Sequence, residues 1–175
     1  MRLPATLAAL AGAILGLGAS PAGAQTPAPG PCAASEFGQF DFWVGRWDVR
    51  VTGRDKVVAH SLIEKLYDGC AIRENWAPLQ GGAGGSLSGY DALKRAWRQT
   101  WTDASGGWAE FEGGWNDVAM VLTGTWPDAQ HPDRRVRMTY TPGEDGSVRQ
   151  FGEQSDDGGK TWAASFDFTY RKAPA

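Results

Sequence analysis

From residue 46 onward, apolar and polar side chains alternate with a period of two in stretches of about eight, and turn-forming residues break the pattern roughly every ten positions. This spacing predicts strands over residues 46–53, 57–66, 70–77, 85–92, 96–103, 107–114, 117–125, 134–141, 147–154 and 162–171. The connectors carry turn chemistry, as in Gly53-Arg54-Asp55, Asp68-Gly69, Gly81 to Gly85, Ser105-Gly106-Gly107, Pro142 to Gly146 and Asp157-Gly158-Gly159. No helical period is present beyond a short turn around residues 35–42. Only the stretch 126–133 is long enough for a crossing connection, which favours a meander over a Greek-key sandwich. A meander this long leaves no exposed edges if it closes on itself. The fold class expected is therefore all-β: a single antiparallel up-and-down β-barrel of about 8–10 strands, wide enough to hold side chains and one small ligand.

Strand parity then sorts side chains into faces. Trp97, Gln99, Trp101 and Asp103 share one face, and Phe166, Phe168 and Tyr170 share another. Several charges lie inside strands, and any that point into the lumen must be paired or await a polar ligand. Glu74 shares a face with Ile72 and Trp76, whereas Glu112 goes with Glu110 and Gly114. Arg137 goes with Arg135 and Thr139, a set that reads as outward. The chain holds nine tryptophans, more than core filling needs, and each indole N–H wants a partner. Trp43, Trp47 and Trp162 read as filler or end caps. Arg73, Glu74, Trp76, Trp97, Gln99, Trp101, Glu112 and Trp115 are the candidate ligand-binding residues.

The first 24 residues are set apart from the barrel. Arg2, an apolar run from Leu7 to Leu17 and the Ala22-Gly23-Ala24 cleavage pattern read as a secretory signal peptide. The run is too short to span a bilayer, which takes roughly 20 residues. Residues 25–34 form a stiff lead-in with Pro27, Pro29 and Pro31, and residues 35–172 form one domain. A secreted or periplasmic location is expected. The chain carries 17 Lys and Arg against 20 Asp and Glu, so its mild acidity argues against nucleic acid or an anionic membrane as partner.

Two cysteines remain in that oxidising setting. A pair 38 positions apart makes a poor metal site, and a Cys32–Cys70 disulfide tying the lead-in to the barrel wall is the better reading. His60 alternates with Val58 and Leu62 and reads as a satisfied barrel histidine. His131 sits in the polar loop 128–133 and reads as solvated. Gly84 to Gly89 lacks the G-x-S-x-G spacing of a nucleophile elbow. With neither a histidine at a triad spacing nor a metal-ligand or phosphate-cradling run, no cofactor and no metal are expected.

Three resemblances follow from quoted motifs. Gly45-Arg46-Trp47, within Phe40 to Val49, resembles the opening of calycin-type barrels such as lipocalins, fatty-acid-binding proteins and nitrobindins. That resemblance implies that Gly45, Trp47 and Arg171 close one end of the barrel, with Trp47 as the plug and Arg171 of the last strand stacked on the indole. Ser155 to Trp162 fits S-x-D-x-G-x-T-W and resembles the Asp-box hairpin of sialidases, which is structural there; one copy in so small a domain cannot build a propeller. The whole chain past the leader also resembles an uncharacterised family of exported bacterial proteins of the DUF1579 or nitrobindin-like kind. The matching stretches include Gly69 to Trp76, Gly89-Tyr90-Asp91, Trp97 to Trp101, Met120 to Gly124 and Asp145 to Gln150. It implies a lipocalin-like barrel and no particular activity. Nitrobindin-like haem binding uses a histidine on a strand near the C terminus, where this chain has none, so only His60 is left for that role.

The leading expectation is a non-catalytic barrel that binds an unknown small molecule of aromatic or amphipathic character. The alternatives are an enzyme with Glu74 or Glu112 as general acid or base, a haem-binding barrel, and an envelope protein with a patch of exposed tryptophans.

Overall fold

Ten strands form, each within a few residues of the predicted bounds. In the computed structural model, which describes residues 30–174, they are β1 (Gly45–Val51), β2 (Val57–Leu66), β3 (Ala71–Pro78), β4 (Gly84–Asp91), β5 (Ala96–Asp103), β6 (Trp108–Trp115), β7 (Met120–Thr125), β8 (Arg135–Pro142), β9 (Val148–Ser155) and β10 (Ala163–Lys172). The expected signal peptide and the first part of the expected lead-in lie outside the described residues. Every strand pairs antiparallel with its sequence neighbour, and β1 pairs with β10, so the sheet is a closed up-and-down barrel with no free edge. No helix among the described residues is long and apolar enough to cross a membrane.

The two ends of the barrel differ. At one end the β2–β3, β4–β5, β6–β7 and β8–β9 turns gather around the segment that precedes β1, whose two single-turn 3₁₀ helices, Ser35–Gly38 and Asp41–Trp43, fold across the opening as a plug. Phe40 and Trp43 enter the lumen there and are fully buried. Their rings stack at 4.9 Å, and Trp97, Tyr140 and Tyr170 pack edge-on or tilted around them at 4.9–6.0 Å. Trp47 lies beneath and donates its indole N–H to the Trp43 carbonyl at 2.8 Å. A disulfide joins Cys32 to Cys70, at the foot of β3, and fastens the plug to the wall. This end is a solid aromatic floor.

Closure by a basic residue over Trp47 is present, but the residue is Lys172. Its ammonium lies 3.8 Å from the indole centroid and donates to the Val44 carbonyl at 2.8 Å. Lys172 pairs directly with Trp47 across β1 and β10, while Arg171 pairs with Asp48. Directly opposed residues share a face, so a shift of one position turns Arg171 outward. There it meets Asp145 at 3.2 Å and is exposed. Gly45 holds φ at +147°, and a Cβ at that position would collide with the Lys172 ammonium.

Candidate functional site

Above the aromatic floor the lumen is not filled. A cavity of about 160 Å³ opens toward the end that carries the 52–56, 79–83, 104–107, 126–134 and 156–162 connections. Its walls are mostly aromatic, and most of those rings fall into two touching sets. On one side Trp76 meets Phe168 at 5.7 Å and Tyr170 at 6.4 Å, and Phe168 stacks on Phe166 at 5.4 Å. On the other, Trp126 meets Trp101 at 5.9 Å and Phe111 at 6.2 Å. The cavity lies between these sets and suits a flat, apolar molecule about the size of one ring, since an apolar void of roughly 150 Å³ takes a benzene-sized guest.

Each wall residue is placed by strand parity. In β3, Ile72, Glu74 and Trp76 point inward, and in β5 Trp97, Gln99 and Trp101 do the same. A β-bulge between Ala164 and Phe166 sets the phase of β10, so that Phe166, Phe168 and Tyr170 all line the lumen. Trp126 follows β7 and is carried over the rim by the 126–134 loop. Asp128 folds that loop by accepting from the backbone N–H groups of Gln130 and His131 and by pairing with Arg134, which also reaches Asp156.

The polar groups of the lumen converge between the cavity and the floor. Glu74 is buried, with 5% of its surface exposed. Ser61 donates to its Oε1 at 2.9 Å, and Ser86 reaches Oε2 at a long 3.4 Å. The Tyr170 hydroxyl lies 3.4 Å from Oε1 and 2.7 Å from Gln150 Oε1. A phenol has one hydrogen, and the shorter contact commits it to Gln150. Gln150 Nε2 passes the chain on to the Tyr140 hydroxyl at 3.1 Å, and beside it Gln99 donates to Ser88 at 2.9 Å. Glu74 therefore has one firm donor and no cation. Burial pushes its carboxyl up to about 7, against the smaller opposing pull of the Ser61 hydrogen bond and of the long contacts with Tyr170 and Ser86. Tyr140 and Tyr170 are driven up in turn, by burial first and by the neighbouring Glu74 charge second.

The candidate residues divide three ways. Glu74, Trp76, Gln99 and Trp101 come together in the cavity wall. Trp97 and Trp115 face inward but belong to the floor: Trp97 packs on Phe40 and donates to Gln39 Oε1 at 3.2 Å, and Trp115 rests against Phe42 at 5.6 Å. Arg73 and Glu112 are on the outer surface. Arg73 alternates with the buried Ile72 and Glu74 and pairs with Glu64; Glu112 alternates with the buried Phe111 and pairs with Lys94 at 3.5 Å. Neither reaches the lumen.

Phe111, Trp126, Met138, Tyr140, Gln150, Phe166, Phe168 and Tyr170 were not among the candidates. Their signal was partly legible. Val136, Met138 and Tyr140 are the inward complement of the outward set Arg135, Arg137 and Thr139, and Gln150 alternates with Arg149. Trp126 stands one residue past the end of β7, in phase with the inward Met120, Leu122 and Gly124, and donates its backbone N–H to the Arg134 carbonyl at 3.0 Å.

The alternatives meet the same geometry. His60 is outside, its side chain 58% exposed and hydrogen-bonded to Asp48 at 2.9 Å, and the cavity wall holds no histidine, so these residues do not fit haem. Among the nine tryptophans only Trp108 is exposed, which leaves no tryptophan patch for an assembly contact. The Asp-box hairpin is a turn on the outer wall. Asp157 accepts from the N–H groups of Lys160 and Thr161 and from the Thr161 hydroxyl, and Trp162 packs on Arg137 at 4.4 Å. Those hydrogen bonds hold the Asp157 carboxyl well below the usual carboxylate range.

No protein-family model matches the chain, and no curated protein matches it either.

Proposed function

We propose that this protein is a secreted or periplasmic barrel that binds a small, flat, largely apolar molecule bearing a polar end. The observation that carries the reading is the cavity between Trp76, Phe166 and Phe168 on one side and Trp101, Trp126 and Phe111 on the other, with Glu74 at its base. A mostly apolar pocket with a few convergent polar groups is the usual form of a small-molecule site. The leader-like first 24 residues and the Cys32–Cys70 disulfide support an oxidising compartment. The plugged end, with Gly45, Trp47 and a stacked lysine, supports a place among calycin-like exported barrels.

The test is native mass spectrometry of protein purified from the cell that makes it, paired with tryptophan-fluorescence titration against a panel of one- and two-ring compounds. A co-purifying mass or a saturable quench that is lost in Phe168→Ala supports the reading. A panel with no binder and a protein with no bound mass overturns it.

A second reading, proton transfer by Glu74 to a bound molecule, draws on its carboxyl being tuned near neutrality. Glu112, solvated beside Lys94, has no part in it. Chemical turnover of the co-purified ligand that stops in Glu74→Gln would favour this second reading.

A further inference from the structure

The walls of the cavity ask for an apolar ring, yet its base carries an acid. A site for a neutral hydrocarbon has no use for a buried carboxyl, whose charged form is costly unless a partner meets it. Glu74 has four lone-pair sites on two oxygens and one firm donor, Ser61. Around it, Ser61 comes from β2, Ser86 from β4, Gln99 from β5, Tyr140 from β8, Gln150 from β9 and Tyr170 from β10. The two tyrosines are the titratable groups among these, and both are held in the neutral phenol form by burial. No lysine, arginine or histidine lines the cavity. The counter-charge is thus absent from the wall and has room only in the cavity.

The faces of the indole and phenyl rings add to this preference. Their π-clouds attract cations, by about 0.5–2 kcal/mol for each well-placed ring, and repel anions. An aromatic enclosure with one carboxylate at its base is complementary to an organic cation.

Resting on the binding reading above, we infer that the ligand is a small aromatic ammonium, its ring held between the two aromatic sets and its protonated nitrogen donating to the Glu74 carboxylate. Binding takes Glu74 in its charged form, so below neutrality an incoming cation must displace a proton from it. Tyr140 and Tyr170 stay protonated across the same range and contribute no pH dependence.

The experiment compares benzylamine with benzyl alcohol, which share a ring and differ in charge, by titration calorimetry on the full mature chain at pH 8 and pH 6. Alkyl ammonium groups titrate well above this range, so benzylamine stays charged throughout. The expected result is that benzylamine binds at least about tenfold tighter than benzyl alcohol at pH 8. It should weaken about tenfold at pH 6, where binding releases the Glu74 proton to the buffer, while benzyl alcohol is unchanged. In Glu74→Gln the preference for the amine disappears and benzyl alcohol still binds. Equal affinities at pH 8, or tighter binding of the alcohol, overturn the inference and leave the binding reading intact. Absence of binding by both compounds, in wild type and in a Glu74→Gln protein that unfolds cooperatively, overturns both.

Discussion

Lys172 holds its ammonium over the face of the Trp47 indole, 3.8 Å from the centroid, and in doing so occupies the space that a side chain at residue 45 would need. One cation thus links the first strand, the last strand and the glycine of the Gly-x-Trp motif. Its hydrogen bond to the Val44 carbonyl brings in the plug as well.

This arrangement predicts an asymmetry between neighbours. Lys172→Met loses a cation–π contact and a hydrogen bond and should cost about 1 kcal/mol in urea unfolding. Arg171→Met removes only an exposed ion pair with Asp145 and should cost close to nothing. Gly45→Ala should cost more than either, about 2 kcal/mol, because the residue holds a positive φ. Equal effects at residues 171 and 172 would contradict the assignment.

That same pair shows how much of the structure is legible in the sequence. Period-two alternation and turn residues carried all ten strands and the closed barrel, because a half-buried strand writes its facing into its sequence. Four of the eight candidate site residues, Glu74, Trp76, Gln99 and Trp101, followed from the same parity. The failures have physical causes. Alternation says which residues share a face and not which face is inside, so Arg73 and Glu112 were admitted beside true lumen residues. Parity also cannot locate depth along the barrel, and Trp97 and Trp115 lie below the cavity. At a strand terminus, two adjacent basic residues differ only by phase, and the register selects Lys172 rather than the expected Arg171. Trp126 keeps the inward phase of Met120, Leu122 and Gly124 but falls one residue beyond the strand bound.

Glu74 should leave a mark on the pH dependence of stability. Its folded carboxyl is raised to about 7 from an ordinary value of 4.5, so between those values the native state holds more protons than the unfolded chain. The stabilisation is fully present below pH 4.5, declines as pH rises through 7, and is gone above it. The full loss is of the order of 3 kcal/mol. Glu74→Gln should remove this dependence and be the more stable protein at pH 8, where wild type carries an unpaired buried charge. Urea unfolding of both proteins at pH 5, 6, 7 and 8 tests this; parallel curves would refute it.

The Cys32–Cys70 link closes a loop of 38 residues that includes the whole aromatic plug. Chain entropy assigns roughly 3–4 kcal/mol to a crosslink of that span. Reduction, or the double change Cys32→Ser with Cys70→Ser, should therefore lower the urea midpoint without changing the barrel's far-ultraviolet circular dichroism at low denaturant. Because Phe40 and Trp43 anchor the plug independently, the reduced protein should retain ligand quenching of tryptophan fluorescence. Loss of that quenching on reduction, with the fold intact, would show that the plug depends on the disulfide to hold the floor of the site.

The most direct control over the cavity lies at Gly152. This residue faces the lumen from β9, pairs with Phe166 across the sheet, and has the Phe166 ring lying where its own Cβ would stand. Phe166 cannot retreat toward the strand and is stacked on Phe168, so a methyl at residue 152 must push the ring into the cavity. Gly152→Ala should cost about 1–3 kcal/mol through overpacking and weaken binding of a ring-sized probe at least about tenfold. Adding Phe166→Leu, which withdraws the ring, should recover much of both losses, a coupling expected of residues in contact. Gly114→Ala, where a Cβ meets open space, serves as the comparison and should leave probe binding unchanged. If Gly152→Ala weakens binding no more than Gly114→Ala does, then Phe166 is not a wall of the ligand site, and the space between the two aromatic sets is not where the ligand lies.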